Sequence, residues 1–295
     1  MFEGFTKSEK MVNGVSICYR IGGKGPGLLL LHGHPQTHVL FRKVAQELAQ
    51  HFTVVAADLR GYGDSGKPEA DPAHNNYSKR VMAQDQVDLM RELGFSRFSL
   101  LAHDRGARVG HRMAVDHPDR LDKLVFLDIS PTLAMYTQTT EAFARAYWHW
   151  FALIQPYPLP EQLIESNPEQ YARGVMCRAA GLEPFGEDGL AEYVRCLAIP
   201  GTARGICEDY RASATIDLDH DREDIAAGRK VTRPLMVFWG DKGIVGKLFD
   251  PIAEWRKVAT DFRDGKGLPC GHYIAEEAPD ILLQECLPFL VGETA

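Results

Sequence analysis

Asp104 stands at the centre of Ala102-His103-Asp104-Arg105-Gly106, between an apolar stretch, Phe98–Leu101, and a helical one starting near Ala107. A nucleophile two residues from small residues on either side marks a strained turn from strand to helix that exposes the central side chain. The small residues are needed because the backbone turns sharply there and packs closely. A carboxylate in that position attacks a carbon bearing a leaving group and forms an ester. This disfavours amide or ester hydrolysis through an acyl-serine. The competing reading of Asp104 is an ordinary helix N-cap.

Other residues extend the chemistry. His32-Gly33-His34-Pro35 follows the apolar run Leu28–Leu31. A loop there can aim a backbone N–H at the nucleophile, so the N–H groups of His34 and Arg105 are the candidate oxyanion donors. Arg105 and Arg108 lie three residues apart, on nearly the same helix face. Two guanidiniums at a helix N-terminus make a pocket for a carboxylate. Tyr147-Trp148-His149-Trp150 is a dense aromatic run, and Tyr210 follows in Cys207-Glu208-Asp209-Tyr210-Arg211. Neutral imidazole, indole and phenol groups donate hydrogen bonds that a departing anion can accept. Donors aimed at a poor leaving group would act chiefly in the transition state. An aromatic core is the alternative for this run, and it is the reading adopted for Trp148. Gly61-Tyr62-Gly63-Asp64-Ser65-Gly66 looks like a nucleotide-binding fingerprint but does not open a helix, so it reads first as a structural loop.

Alternating elements must hold these residues. Leu28–Leu31, Thr53–Ala57, Phe98–Ala102, Lys123–Leu127 and Leu235–Phe238 read as short buried strands, most of them closed by turn signals. Val39–Gln50, Ser78–Leu93 and Ala107–Asp116 read as helices, as does a final Pro279–Leu290. Alternation of this kind builds a mostly parallel sheet flanked by helices, with sites along one carboxyl edge. The rhythm breaks after Pro131 and resumes near Val231. The expected organisation is a discontinuous α/β core, 1–131 and 228–295, interrupted by an inserted helical cap, 132–227.

Composition bounds the rest. The chain has 295 residues, enough for a large core, and a formal net charge of −7. That charge argues against nucleic acid or an anionic membrane surface as a partner, but not against a small anion met by local arginines. The six cysteines are scattered without a CxxC pair, so free thiols are expected, with no metal. Neither a signal peptide nor a membrane-length apolar run is visible, and a cytoplasmic location is expected.

Taken together, His32-Gly33-x-Pro35, Asp58-Leu59-Arg60-Gly61-Tyr62-Gly63-Asp64-Ser65, His103-Asp104-Arg105-Gly106 and Gly271-His272 resemble the α/β-hydrolase fold over nearly the whole chain. This resemblance implies that His272 is the base that activates water. The acid orienting it would be Asp128, in Leu127-Asp128-Ile129-Ser130-Pro131. The fallback is Asp241, where Gly240-Asp241-Lys242-Gly243 has glycine in place of the usual second acid. An Asp nucleophile in this fold implies a dehalogenase or an epoxide hydrolase. His103–Arg108, Leu127–Pro131, His149-Trp150 and Cys207–Arg211 together resemble the haloacetate (fluoroacetate) dehalogenase group. The implied roles are Asp104 as nucleophile, His272 and Asp128 as base and partner, Arg105 and Arg108 on the substrate carboxylate, and His149, Trp150 and Tyr210 around the halide. The implied activity is cofactor-free hydrolysis of a short 2-haloacid to a 2-hydroxy acid, by a homodimer. One departure stands at Cys177, where the family carries a pocket-lining Trp; the smaller residue would widen the site. An epoxide hydrolase with Tyr147 and Tyr210 as acids remains the alternative. A non-catalytic carboxylate-binding protein on the same scaffold is the remote one.

Overall fold

Residues 1–292 are described in the computed structural model of the protein. The apolar runs become parallel strands β3 (Gly27–Leu31), β4 (Thr53–Ala57), β5 (Phe98–His103), β6 (Leu121–Leu127) and β7 (Leu235–Gly240). β3 and β5 are buried along their whole length, as strands covered on both faces must be. The structure adds an antiparallel hairpin, β1 (Thr6–Val12) and β2 (Val15–Gly23), and a last parallel strand, β8 (Phe262–Leu268). The order is β1-β2-β4-β3-β5-β6-β7-β8. The hairpin turns at Asn13-Gly14, with φ of 46° and 75°. That dipeptide favours the left-handed turns that hairpins use.

Helices α1 (Lys79–Glu92) and α2 (Arg105–Asp116) pack against each other and connect β4 to β5 and β5 to β6. α2 lies close on the sheet because Gly110 has no side chain: a Cβ there would come within 2.7 Å of Leu100 and 2.8 Å of Phe126. The final helix spans Pro279–Val291. Between β6 and β7 run helices from Thr132–Thr137 to Ile216–Ala226, including α3 (Trp148–Leu153), α4 (Pro168–Met176) and α5 (Thr202–Ala214).

Three expectations need correction. Val39–Gln50 is not one helix: a 3-10 turn, His38–Phe41, is followed by a short helix, Ala45–Leu48. Trp148 is not in the core; it is 45% exposed, while Trp150 on the opposite side of the same short helix is fully buried. Helix α2 also starts two residues earlier than periodicity indicates, directly at Arg105.

Candidate active site

The turn between β5 and α2 bends the backbone sharply. Asp104 has φ 44° and ψ −114°, a conformation costly for a residue with a side chain. Its carboxylate makes no cap hydrogen bond to α2, so the N-cap reading of Asp104 fails. The turn is held from both sides by backbone: Asp104 N–H donates to Leu127 O at 3.2 Å and Gly106 N–H to His32 O at 2.8 Å. Glycine is needed at two places, Gly106 within the turn and Gly33 in the loop packed against it. A Cβ on Gly106 would lie 2.4 Å from Leu31 O, and one on Gly33 would lie 2.4 Å from the Asp104 Cβ.

The Asp104 carboxylate accepts the backbone N–H of His34 at 3.0 Å. The N–H of Arg105, first residue of α2, has no acceptor within its own helix. His272, in the loop after β8, sets Nε2 4.0 Å from Asp104 Oδ2. Its Nδ1 meets Asp128 Oδ2 at 2.5 Å, and Gly240 N–H donates to the other Asp128 oxygen at 2.9 Å. Asp128 sits just past β6 with φ 51°. Asp241 does not share this place: its carboxylate lies over Gly267 on β8, where a Cβ would be 1.7 Å from it. Thus Asp104, His272 and Asp128 are brought together, and Asp241 is not.

Burial pushes the His272 pKa down to about 3, and the Arg178 charge adds to this. The imidazole is therefore neutral at neutral pH, and in the tautomer that gives Nδ1–H to Asp128 its Nε2 is free to accept a proton. Burial raises the Asp104 pKa, but the rings of His272 and His103 and the guanidiniums of Arg105 and Arg108 outweigh it and hold the carboxyl well below the usual range. An ionised carboxylate faces a neutral imidazole, as attack followed by hydrolysis requires.

Around this group lies a set of buried polar atoms without partners: Arg105 Nη1, Arg108 Nε, Trp150 Nε1 and the hydroxyls of Tyr210, Tyr147 and Tyr136. They belong to one cluster. The Arg105 guanidinium lies 4.0 Å over the Tyr210 ring and that of Arg108 4.6 Å over Trp150. The His149 ring lies 6.1 Å from Tyr210 and 5.9 Å from His34, centre to centre. Arg108 bonds Ser130 O and Thr132 Oγ1 but meets no carboxylate among the described residues. Buried donors left unpaired in such number mark the place of a ligand. Burial and the neighbouring Asp104 charge keep the Tyr210 phenol well above its ordinary pKa, so it is a donor.

Sequence reasoning missed what holds Arg105. Asp209 on α5 accepts its Nε at 2.7 Å, and Nη2 reaches Asp209 O at 3.0 Å. Asp209 also takes the Tyr62 hydroxyl at 2.7 Å and the ammonium of Lys79. Only Nη1 of Arg105 is left over. The signal was in view, since Asp209 precedes Tyr210 in the quoted run and Tyr62 lies in the glycine-rich loop. A cavity of about 350 Å³ opens beside His149 and His272, lined also by Trp148, Cys177, Arg178 and Lys242.

The sequence model for the alpha/beta hydrolase fold matches residues 26–175. The chain belongs to the α/β-hydrolase family. A fluoroacetate dehalogenase from Burkholderia sp is 46% identical to this hydrolase over 95% of the chain and 92% of the relative, which puts it in the haloacetate (fluoroacetate) dehalogenase group. A soluble epoxide hydrolase from Corynebacterium sp. (strain C12) is 33% identical over 96% of each. A crystal structure from Nostoc sp PCC 7120, described as an α/β hydrolase, superposes with a TM-score of 0.93 at 50% identity, covering 98% of this chain and 99% of that one. No helix among the described residues is long and apolar enough to cross a membrane.

The buried histidines of the hydrolase give a pH dependence. Burial lowers His34, His103 and His111 to about 3 and His149 well below its ordinary value. Below the unfolded pKa of about 6.5 the unfolded chain binds protons that the folded one does not, so stability falls as pH drops. Each such ring costs on the order of 2 kcal/mol at pH 5. Asp128 and Asp221, raised by burial to about 7 and about 6, oppose part of this by binding protons in the folded state. The expected result is a Tm lower at pH 5 than at pH 7.5 by at least about 5 °C. Calorimetry at constant ionic strength checks it, and an equal or higher Tm at pH 5 contradicts it.

Proposed function

We propose that this hydrolase removes halide from short 2-haloacids by a two-step displacement. Arg105 Nη1 and Arg108 take the substrate carboxylate. Asp104 attacks the α-carbon in line, the carbon–halogen bond breaks, and an ester forms. His149, Trp150 and Tyr210 receive the departing halide. Water, losing its proton to His272, then attacks the ester carbonyl of Asp104 while the N–H groups of His34 and Arg105 hold the oxyanion. Asp128 keeps His272 in the required tautomer. The products are a 2-hydroxy acid and a halide, and no cofactor takes part. Residues 132–227 act as the cap that excludes water from the first step, over a core of 1–131 and 228–295.

The observation that carries this reading is Arg108: a buried guanidinium without a carboxylate partner, beside an ionised aspartate at a strained turn. A small carboxylic acid supplies the missing anion. The relative named a fluoroacetate dehalogenase supports it. An ion-electrode assay with fluoroacetate, chloroacetate and 2-chloropropionate tests it; no halide from any of them refutes it.

The unpartnered hydroxyls of Tyr147 and Tyr210 favour a second reading, in which phenols protonate the alkoxide of an opened epoxide. Parallel incubation with styrene oxide and chloroacetate separates the two. The proposed assembly is a cytoplasmic homodimer, which sedimentation of the purified protein checks on the oligomer side.

Trp150→Phe should preserve ring packing and delete one halide donor. Loss of one such donor costs about 100-fold in kcat. Fluoride depends most on hydrogen bonding as it leaves, so defluorination should fall further than debromination. Equal losses with fluoroacetate and bromoacetate would assign Trp150 to packing alone.

A further inference from the structure

Arg178 is the one guanidinium at this site that the displacement just proposed leaves without a task. It follows α4 and Cys177 in the chain. Its Nε donates to Val175 O at 3.2 Å. No carboxylate within salt-bridge distance is found among the described residues.

The side chain is nevertheless held in place. Its guanidinium carbon lies 5.1 Å over the Tyr147 ring and 5.6 Å over the Tyr273 ring. Those two rings flank His272, at 6.3 and 4.8 Å between centres. Stacking on two aromatic faces fixes a cation without neutralising it. Arg178 also lines the 350 Å³ cavity together with His149, His272 and Lys242. His149 stands between the two poles of charge: it contacts Tyr210, under Arg105, on one side and Tyr147, under Arg178, on the other. Cys177, a small exposed residue, lines the same cavity.

We propose that Arg178 binds a second anionic group of the substrate, so that the site accepts 2-halo dicarboxylic acids whose remote carboxylate lies between Arg178 and the cavity mouth. This rests on the dehalogenase reading, because it assumes the same Asp104 displacement at the α-carbon. The remote carboxylate is a spectator: it forms no bond and loses none. A substrate with one carboxylate satisfies Arg105 and Arg108 and leaves Arg178 unpaired. A diacid pairs both poles, and Lys242 at the rim adds attraction on the way in.

The test compares chloride release from 2-chlorosuccinate and chloroacetate. The wild-type protein should turn over both. In Arg178→Gln the ratio of kcat/KM for chlorosuccinate to that for chloroacetate should fall about 100-fold, mainly through KM, and Arg178→Lys should recover part of it. An unchanged ratio overturns the proposal. A measurement on the wild type alone guards against a variant that misfolds: succinate should inhibit chloroacetate turnover at much lower concentration than butyrate does. Equal inhibition by the two also overturns it. Chloride from chloroacetate but none from chlorosuccinate defeats this inference and leaves the dehalogenase reading intact. No halide from any haloacid defeats that reading itself.

Discussion

Asp104→Asn should abolish halide release, with an initial rate at least about 10⁴-fold below wild type. The amide is a poor nucleophile, and the fold should tolerate it because the hydrogen bond from His34 N–H can still be accepted by the amide oxygen. The strained backbone at this position, φ 44°, suits asparagine as well as aspartate. A fall of less than tenfold, in protein shown by mass to be free of deamidation, would rule out Asp104 as nucleophile. The same residue gives a positive test. If water attacks the carbonyl of the Asp104 ester, one turnover in heavy-oxygen water leaves a labelled oxygen in the enzyme. Label found only in the hydroxy acid would mean that water had displaced the halide directly.

His272→Ala should separate the two steps. The displacement needs no base, because Asp104 is already ionised, so about one halide per active site should appear in a burst. Turnover should then stop, with the carboxyalkyl portion of the substrate attached to Asp104 as an ester. Intact-mass measurement checks the adduct, and peptide mapping places it. Steady release without an adduct would remove His272 from the mechanism. No burst at all would mean that the imbibed water or the first step depends on the imidazole. Asp128, at 2.5 Å from Nδ1, should show a milder version of the same behaviour when replaced by Asn, because the ring remains but its tautomer is no longer enforced.

Much of the site is local in the sequence. The elbow is legible because five adjacent residues must satisfy one backbone bend. The clash distance at Gly106 shows why a small residue stands at its end. The parallel strands are legible because burial on both faces leaves continuous apolar runs. β8 hides for the opposite reason: Phe-Arg-Asp-Gly-Lys-Gly-Leu carries charges and glycines, and only its pairing with β7 makes it a strand. Asp209 hides differently. Its partner Arg105 is 104 positions away, and nothing in either local sequence refers to the other. The same holds for Arg178, whose importance comes from the rings of Tyr147 and Tyr273 that folding sets on either side of it. Trp148 and Trp150 show the limit of composition: neighbours in one aromatic run, they face opposite ways on one helical turn.

The grip of Asp209 has a kinetic consequence. It ties α5 to Arg105 after β5, to Lys79 on α1 and to Tyr62 in the loop after β4, all at full burial. Swinging the helical segment away as a hinged lid would strand two cations and a carboxylate without partners, at several kcal/mol each. With the helices held, entry is expected through the cavity lined by Trp148 and Arg178, by side-chain motion. A threshold of that kind would sieve acids by girth and charge before any bond is tested. For a bulky acid, the expected slow event is passing that threshold rather than the displacement itself.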